Sequence, residues 1–258
     1  MPDSQMNTLD TRRGFLRQSG LLVASAAAAS ALPALGQQPP TAKSAGQSEK
    51  RPPADAKDDK HDEEDEVSPA EDLMREHGVL KRILMIYESA AQRLETKPAE
   101  LPPDALRKSA EIIRSFIEDY HEKLEEDFLF PRFRQAGKLV DLVDVLLAQH
   151  NAGRKLTDAT LRLATDKSVK DDADRKSLVL SLRQFVRMYA PHEAREDTVL
   201  FPALRKIVTR NEYDTLGEDF EKKEHELFGA EGFERMVERV AAIEKELGIY
   251  DLAQFTPR

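Results

Sequence analysis

Residues 121–131 read His-Glu-Lys-Leu-Glu-Glu-Asp-Phe-Leu-Phe-Pro, and residues 192–202 repeat the pattern as His-Glu-Ala-Arg-Glu-Asp-Thr-Val-Leu-Phe-Pro. Each copy has a Glu four residues after its His, an acid at the fifth residue, and Phe-Pro at the ninth and tenth. Residues four apart lie on the same side of an α-helix, about one turn apart. An imidazole and a carboxylate placed in this way can reach a common ion. The repeat therefore predicts two helices that carry metal ligands.

The composition agrees with a helical protein. Of the 258 residues, 40% are hydrophobic and 34% are charged, and only 11 are glycine. Long segments without Gly or Pro that are rich in Leu, Ala, Glu, Lys and Arg favour helices over strands. The sequence contains no Cys, which excludes disulfides, iron–sulfur clusters and thiolate zinc sites. The net charge of −9 argues against nucleic acid as a partner, because phosphates would be repelled.

The N-terminal residues predict a targeting signal rather than a folded element. Residues 11–17, Thr-Arg-Arg-Gly-Phe-Leu-Arg, resemble a twin-arginine export signal, and a short Ala-rich apolar run follows. This run is too short and too weakly apolar to predict a membrane span. We therefore expect a signal peptide over residues 1–36, a periplasmic protein, and no stable membrane insertion after cleavage. The alternative is that the segment stays uncleaved as an anchor.

Residues 37–67 predict a disordered acidic linker. They consist largely of Pro, Gln, Lys, Ala and acidic residues and contain no aromatic side chain, so they cannot bury enough apolar surface to offset the entropy of ordering. His61 lies within the acidic run. We interpret this run as a solvated spacer, and weak metal scavenging is the alternative interpretation.

The remaining sequence predicts an all-α protein. Residues 68–208 are expected to form an antiparallel up-down-up-down four-helix bundle, because four long helical patterns are joined by short connections. Residues 209–258 are expected to add a C-terminal helical extension, broken at residues 229–232. Prolines at positions 131, 191 and 202 should kink or end their helices. The predicted bundle helices cover residues 68–95, 104–135, 138–165 and a segment that begins near residue 171.

Each of the four predicted helices carries one His on its apolar face, at positions 77, 121, 150 and 192. His77 and His121 are 44 residues apart, and His150 and His192 are 42 apart. The chain therefore repeats a helix pair, with a lone His on one helix and His-x-x-x-Glu on the next. The candidate metal ligands are His77, His121, Glu125, His150, His192 and Glu196.

Six ligands exceed the number that one tetrahedral zinc ion takes, so this set predicts two ions. One ion would lie between the His side chains of the first helix pair, the other between those of the second. The two Glu side chains would bridge both ions together with an oxo or hydroxo group, leaving one position per ion for an exogenous ligand. Imidazole and carboxylate ligands suit iron, manganese or zinc.

The alternative is that these His side chains are hydrogen-bonded core residues without a metal. Against it, two buried carboxylates would be costly without a cation. His225 lies outside the repeat and is expected at the surface, with an outer position near the metals as the alternative. Glu122, Glu126 and Asp127 are expected to be solvated acids, or to contact the metal ligands without binding the metal themselves.

The pattern resembles the hemerythrin-like, or HHE cation-binding, family over about residues 68–205. The resemblance implies a non-haem di-iron centre within an antiparallel four-helix bundle. It places His77 on the first helix, His121 and Glu125 on the second, His150 on the third, and His192 with a following acid on the fourth.

Two positions depart from the oxygen-carrying members of this family. Those proteins have a further His four residues after the third-helix His, where this chain has Arg154, which stays protonated and cannot ligate a metal. Their fourth-helix acid is an Asp five residues after its His, the position of Asp197 here. We choose Glu196 because it repeats Glu125 and faces inward. A kink at Pro191 could instead rotate Asp197 inward.

We therefore expect an exported di-iron protein that binds dioxygen, nitric oxide or peroxide. The four-His, two-Glu set looks more like the redox-active and sensory branch, including iron-centre repair proteins, than the carriers. An enzyme that consumes peroxide or nitric oxide at the same centre is one alternative. A metal-stabilised structural or iron-storing bundle is another. The sequence does not decide between these functions, nor does it set the oligomeric state.

Overall fold

The computed structural model describes residues 67–257. Within this range every regular element is a helix, so the predicted all-α class is confirmed. The predicted signal peptide and all but the last residue of the predicted linker lie outside the described residues. No helix among the described residues has the length and apolarity that crossing a membrane requires.

Seven helices follow one another in this part of the chain, four of them long. Two are continuous runs that combine α- and π-helical segments, residues 103–136 (α2) and residues 172–204 (α5). Short 3₁₀ turns lie at Pro98–Glu100 and Leu252–Phe255. The other helices are α1 (Pro69–Thr96), α3 (Val140–Leu163), α4 (Asp166–Lys170), α6 (Arg210–Phe228) and α7 (Gly232–Glu246).

Three helix ends lie where the capping residues predict them. Ser68 accepts a hydrogen bond from the backbone N–H of Glu71 at the start of α1, and Asp171 caps α5. Gly137 ends α2 with a φ of 61°, a left-handed conformation that Gly adopts without a steric cost. The expected start of α3 at residue 138 is wrong by two residues, because Leu139 also has a positive φ and α3 begins at Val140.

The winding of α2 and α5 changes at the two motif copies. The π segment Glu125–Leu129 precedes Phe130 in α2, and the π segment Glu196–Leu200 precedes Phe201 in α5. Each motif proline follows directly, and it lacks the N–H that would continue the regular hydrogen-bond ladder. The prolines at 131 and 202 do not end their helices at once. The chain instead accommodates them with π turns, which are rare and occur frequently at functional sites.

The long helices pack around one apolar core. α5 packs against both α1 and α3, and α2 contacts α1 and α3. The apolar face of α1 that carries His77 is buried from Leu73 to Ala91. The C-terminal extension is attached to the outside of α1, where the Arg82 guanidinium donates to both carboxylate oxygens of Glu244 at 2.9 and 2.5 Å. This packing brings four His-bearing helices together.

Candidate metal centre

Four buried imidazoles face one another in the interior, one from each long helix. The Nε2 atoms of His77 on α1 and His121 on α2 lie 3.0 Å apart. The rings of His150 on α3 and His192 on α5 lie with their centroids 5.1 Å apart. None of the four is more than 4% exposed, so the His side chains that the sequence placed on four inner stripes are gathered at one site.

The carboxylates of Glu125 and Glu196 lie between these imidazoles. Glu125 Oε2 is 3.8 Å from Nε2 of His121 and 3.4 Å from Nε2 of His150. Glu196 reaches Nε2 of His77 with one oxygen, at 3.3 Å, and Nε2 of His192 with the other, at 3.1 Å. Each carboxylate therefore contacts one imidazole from each half of the repeat, which is the placement expected of two bridging ligands.

The ligand atoms form two compact triads. His77, His121 and Glu125 make up the first triad, and the second has the equivalent residues of the other half, His150, His192 and Glu196. Within each triad one atom from every residue lies within 4.8 Å of the other two. The structure therefore brings together all six side chains that the spacing of the sequence singled out.

The hydrogen bonding of these atoms fits a metal. Both carboxylate oxygens of Glu125, both of Glu196 and Nε2 of His150 are buried without a hydrogen-bond partner. A buried polar group without a partner is costly, and a buried charge without one costs more. A cation at each triad would satisfy these atoms. The donor set of imidazole nitrogen and carboxylate oxygen is suited to iron, manganese or zinc.

Burial and mutual charge shift the pKa values of the site. Burial, and secondly the neighbouring Glu196 carboxylate, raise the pKa of Glu125 well above its ordinary value. Burial lowers the pKa of His121 to about 3 and that of His150 to about 4, so both imidazoles are neutral at pH 7. Burial also opposes the charge on His77, but the hydrogen bond to Asp197 and the nearby Glu196 carboxylate outweigh it and raise its pKa to about 9. The metal-free site thus holds protons that metal binding would release.

Each imidazole is oriented by an oxygen atom on the side of the ring away from the centre, which accepts a hydrogen bond from Nδ1. Such an acceptor fixes the proton on Nδ1 and leaves the Nε2 lone pair directed at the centre, as is usual for metal-binding His. Two of these acceptors directly precede the lone His of a helix pair. The partners are Asp197 for His77 at 2.7 Å, Glu76 for His121 at 2.7 Å, Glu126 for His150 at 3.1 Å and Gln149 for His192 at 2.9 Å.

The acid five residues after the motif His accepts a hydrogen bond from a His side chain in both copies. Glu126 follows the His121 motif but holds His150, and Asp197 follows the His192 motif but holds His77. Each copy therefore orients the lone His of the other half. The two acids of α5 also differ in position, because Glu196 is fully buried between the imidazoles, whereas Asp197 is 34% exposed and contacts Nδ1 of His77.

The Phe that precedes each motif Pro also contacts the lone His of the other half. Phe130 stacks on the ring of His150, with centroids 5.5 Å apart and planes 22° apart. Phe201 stacks on His77 with the same separation and an angle of 20°. The aromatic rings thus restrict the lone His side chains on one side and help to exclude water. The Phe-Pro part of the repeat is accounted for by this contact and by the π turns.

The comparison with known proteins agrees with this site. Residues 68–204 match the model of the hemerythrin HHE cation binding domain, and an overlapping match covers residues 141–256. The chain belongs to the hemerythrin HHE cation-binding family. The overlapping match of this hemerythrin-like chain begins near the start of α3, where the second half of the internal repeat begins. Family and geometry together identify a metal-binding protein whose His/Glu clusters can hold cations.

Relatives of this hemerythrin-like chain occur in mycobacteria. Proteins described as uncharacterized from Mycobacterium bovis and from two strains of Mycobacterium tuberculosis are each 52% identical over 191 residues. The aligned part is 74% of this chain and 74% of each relative. No solved structure matches the chain significantly.

Arg154 lies beside the centre but turns away from it. Its Nη2 is 2.7 Å from Glu122 Oε2 and 2.7 Å from Glu126 Oε1. The Tyr189 hydroxyl donates to the other oxygen of Glu122 at 2.6 Å. The interpretation of Glu122 as a solvated acid is therefore wrong, because it is 1% exposed. Asp127 is exposed, and so is His225 on α6.

Proposed function

We propose that this chain is an exported hemerythrin-like protein that holds two iron ions and binds dioxygen or a related small ligand, such as nitric oxide or peroxide. The observation that carries the proposal is the arrangement of the two His-His-Glu triads. Their Nε2 atoms converge on two fully buried carboxylates whose oxygens have no hydrogen-bond partner. Two divalent ions would neutralise both carboxylates and take the place of the protons that the metal-free site holds.

In this proposal each triad would hold one ion, and Glu125 and Glu196 would be within reach of both. The support is that each carboxylate contacts imidazoles of both halves. Iron supplies redox chemistry and coordination positions for a small ligand, and manganese or zinc could occupy the same donor set. The protein orients the imidazoles through their Nδ1 acceptors and keeps water out with the stacked Phe rings.

We further propose that the four long helices run up and down in alternation, as in a four-helix bundle. Successive long helices are joined by short connections, the shortest of which spans only residues 137–139 between α2 and α3. All four place a His at a common level of the interior. Neighbouring helices joined in this way are antiparallel in most bundles.

Metal analysis and optical spectroscopy test the assignment. Purified protein should contain about two irons per chain, as the two triads require. The reduced protein should develop a near-ultraviolet to visible charge-transfer band on exposure to air. Glu125→Ala should lose both ions if Glu125 bridges them. Asp127→Ala is the matched control, because Asp127 lies on the same helix but is exposed, and it should keep both ions.

Several outcomes would contradict the proposal. Well-folded wild-type protein that is colourless and free of metal would refute it. Zinc occupancy after native export, with no response to reductant or oxidant, would favour a structural role for the metal instead. Retention of both ions by Glu125→Ala would remove Glu125 from the site.

A second candidate function is catalytic turnover of peroxide or nitric oxide at the same centre. The observation that favours it is the position of Arg154, whose guanidinium is held by two carboxylates and supplies no ligand. An open coordination position supports chemistry as well as reversible binding. Steady consumption of peroxide or nitric oxide by the iron-loaded protein would favour turnover, whereas stoichiometric, reversible uptake would favour binding.

The periplasmic location is also a proposal, and residues 11–17 support it. Replacing the arginine pair by the double substitution Arg12→Lys and Arg13→Lys should block twin-arginine export and leave the protein in the cytoplasmic fraction. Unchanged recovery from the periplasm would contradict this route.

A further inference from the structure

The internal repeat extends to a pair of basic residues near the metal triads. Lys81 lies four residues after His77, and Arg154 lies four residues after His150. Each contacts the acid that directly follows the motif His of the other half. Lys81 pairs with Glu193, and Arg154 pairs with Glu122 at 2.7 Å. These two ion pairs therefore occupy equivalent positions in the two halves of the site.

The equivalence fails in one respect. Arg154 Nη2 makes a second contact, at 2.7 Å, to Glu126 Oε1, the atom that accepts the hydrogen bond from Nδ1 of His150. Within residues 67–257, Lys81 makes its ion pair with Glu193 and has no second contact of this kind. Asp197, which accepts the hydrogen bond from His77, forms its ion pair with His77 and with no Lys or Arg among residues 67–257. One lone His is thus held by a guanidinium–carboxylate chain, the other by a carboxylate alone.

Solvent exposure increases the difference. Arg154 is 20% exposed and Glu126 is 10% exposed, whereas Lys81 is 56% exposed and Asp197 is 34% exposed. Charged hydrogen bonds that are shielded from water are stronger and less screened by salt than exposed ones. The remaining oxygen of Glu126 pairs with Lys123, so the carboxylate behind His150 is held from two sides.

We propose that Arg154 is a positioning residue that fixes Glu126 against His150 and thereby makes the His150–His192 position the tighter of the two metal positions. This inference rests on the proposed function, namely that the chain binds two iron ions. Arg154 then has a positioning role, although it does not bind a metal itself. Partners behind a metal-binding His typically change metal affinity by about 10- to 100-fold, which is enough to separate two otherwise similar positions.

Iron release tests the proposal. Wild-type protein loaded anaerobically with iron(II) is mixed with excess chromogenic chelator, and release is followed by absorbance. Iron should leave in two phases of equal amplitude. Arg154→Gln should accelerate the slow phase about tenfold and leave the fast phase unchanged. The matched control Lys81→Gln should change either phase by about twofold or less, because an exposed ion pair contributes little.

Further variants identify the position and the mechanism. His77→Ala should retain the slow-releasing iron, and His150→Ala should retain the fast-releasing one. Arg154→Lys keeps a cation near Glu126 and should restore part of the slow phase. If Arg154 acts through Glu126, Arg154→Gln should have no further effect on release in the Glu126→Gln background. In metal-free protein, Arg154→Gln should also broaden the NMR signal of the His150 Nδ1 proton, while the helical circular dichroism stays unchanged.

The outcomes separate this inference from the function on which it rests. Binding of fewer than two irons by the wild-type chain would overturn the proposed function and this inference with it. Two irons that leave in a single phase would overturn the inference alone. A slow phase that is insensitive to both Arg154→Gln and Glu126→Gln would do the same, and so would a slow phase that belongs to the His77 position.

Discussion

Gly153→Ala is predicted to destabilise the protein, although Ala ordinarily favours a helix. Gly153 lies within α3, and a Cβ built at this position would be 2.0 Å from the hydroxyl oxygen of Tyr189 and 2.7 Å from its Cζ. Replacing a helical Gly by Ala contributes about 1 kcal/mol of stability. Overpacking a filled core costs about 1–3 kcal/mol, and moving Tyr189 would deprive the buried Glu122 of a donor, at about 1–3 kcal/mol.

The net effect is a loss of about 3 kcal/mol, which corresponds to a fall in Tm of roughly 6–12 °C for a domain of this size. Thermal and urea unfolding of the metal-free protein measure it without interference from metal binding. Gly78→Ala is the matched control, since nothing lies within 4 Å of a Cβ at this exposed helical position, and it should gain about 1 kcal/mol. Equal stabilisation by both substitutions would refute the packing argument at Gly153.

The remaining predictions concern charge, capping and metal. Glu125→Gln should raise the Tm of the metal-free protein, because it removes a buried carboxyl whose raised pKa costs stability at neutral pH. It should also abolish the stabilisation by iron, and lower stability in both states would contradict this. Removing the metal from wild-type protein should cost about 2.7 kcal/mol for each ion that had been present at about 100 times its Kd, and an unchanged Tm after chelation would count against a folded-state metal site. Burial raises the pKa of Glu118 above its ordinary value of 4.5, so the folded protein keeps this proton at a pH where the unfolded chain loses it. Wild-type stability should therefore fall relative to Glu118→Gln as the pH rises above the ordinary value, and a constant difference in urea midpoint would exclude this. Thr209→Ala removes the capping box of α6 and should cost about 1 kcal/mol of stability, measured as a lower urea midpoint. An unchanged midpoint would show that the cap contributes nothing.

Two of the four groups that accept hydrogen bonds from the His Nδ1 atoms were missed from the sequence. Glu76 and Gln149 each directly precede a lone His, and this shared position is the signal that could have found them. Adjacent residues on one helix point in different directions, however. Whether the residue before a His is solvated or contacts the His of a neighbouring helix depends on how the helices pack. The roles of Arg154 and Glu122 were hidden for the same reason.

The helices and the six candidate ligands follow from the amino-acid sequence alone. Helical period, capping residues and the repeated His-x-x-x-Glu spacing are local properties of the chain, so the apolar faces and the His side chains upon them could be predicted directly. Which groups meet across helices became clear only from the packed structure. It placed Glu196 at the centre and Asp197 behind His77, and it directed Arg154 to two carboxylates. These choices depend on the rotation and separation of neighbouring helices, which the packing of the whole core sets.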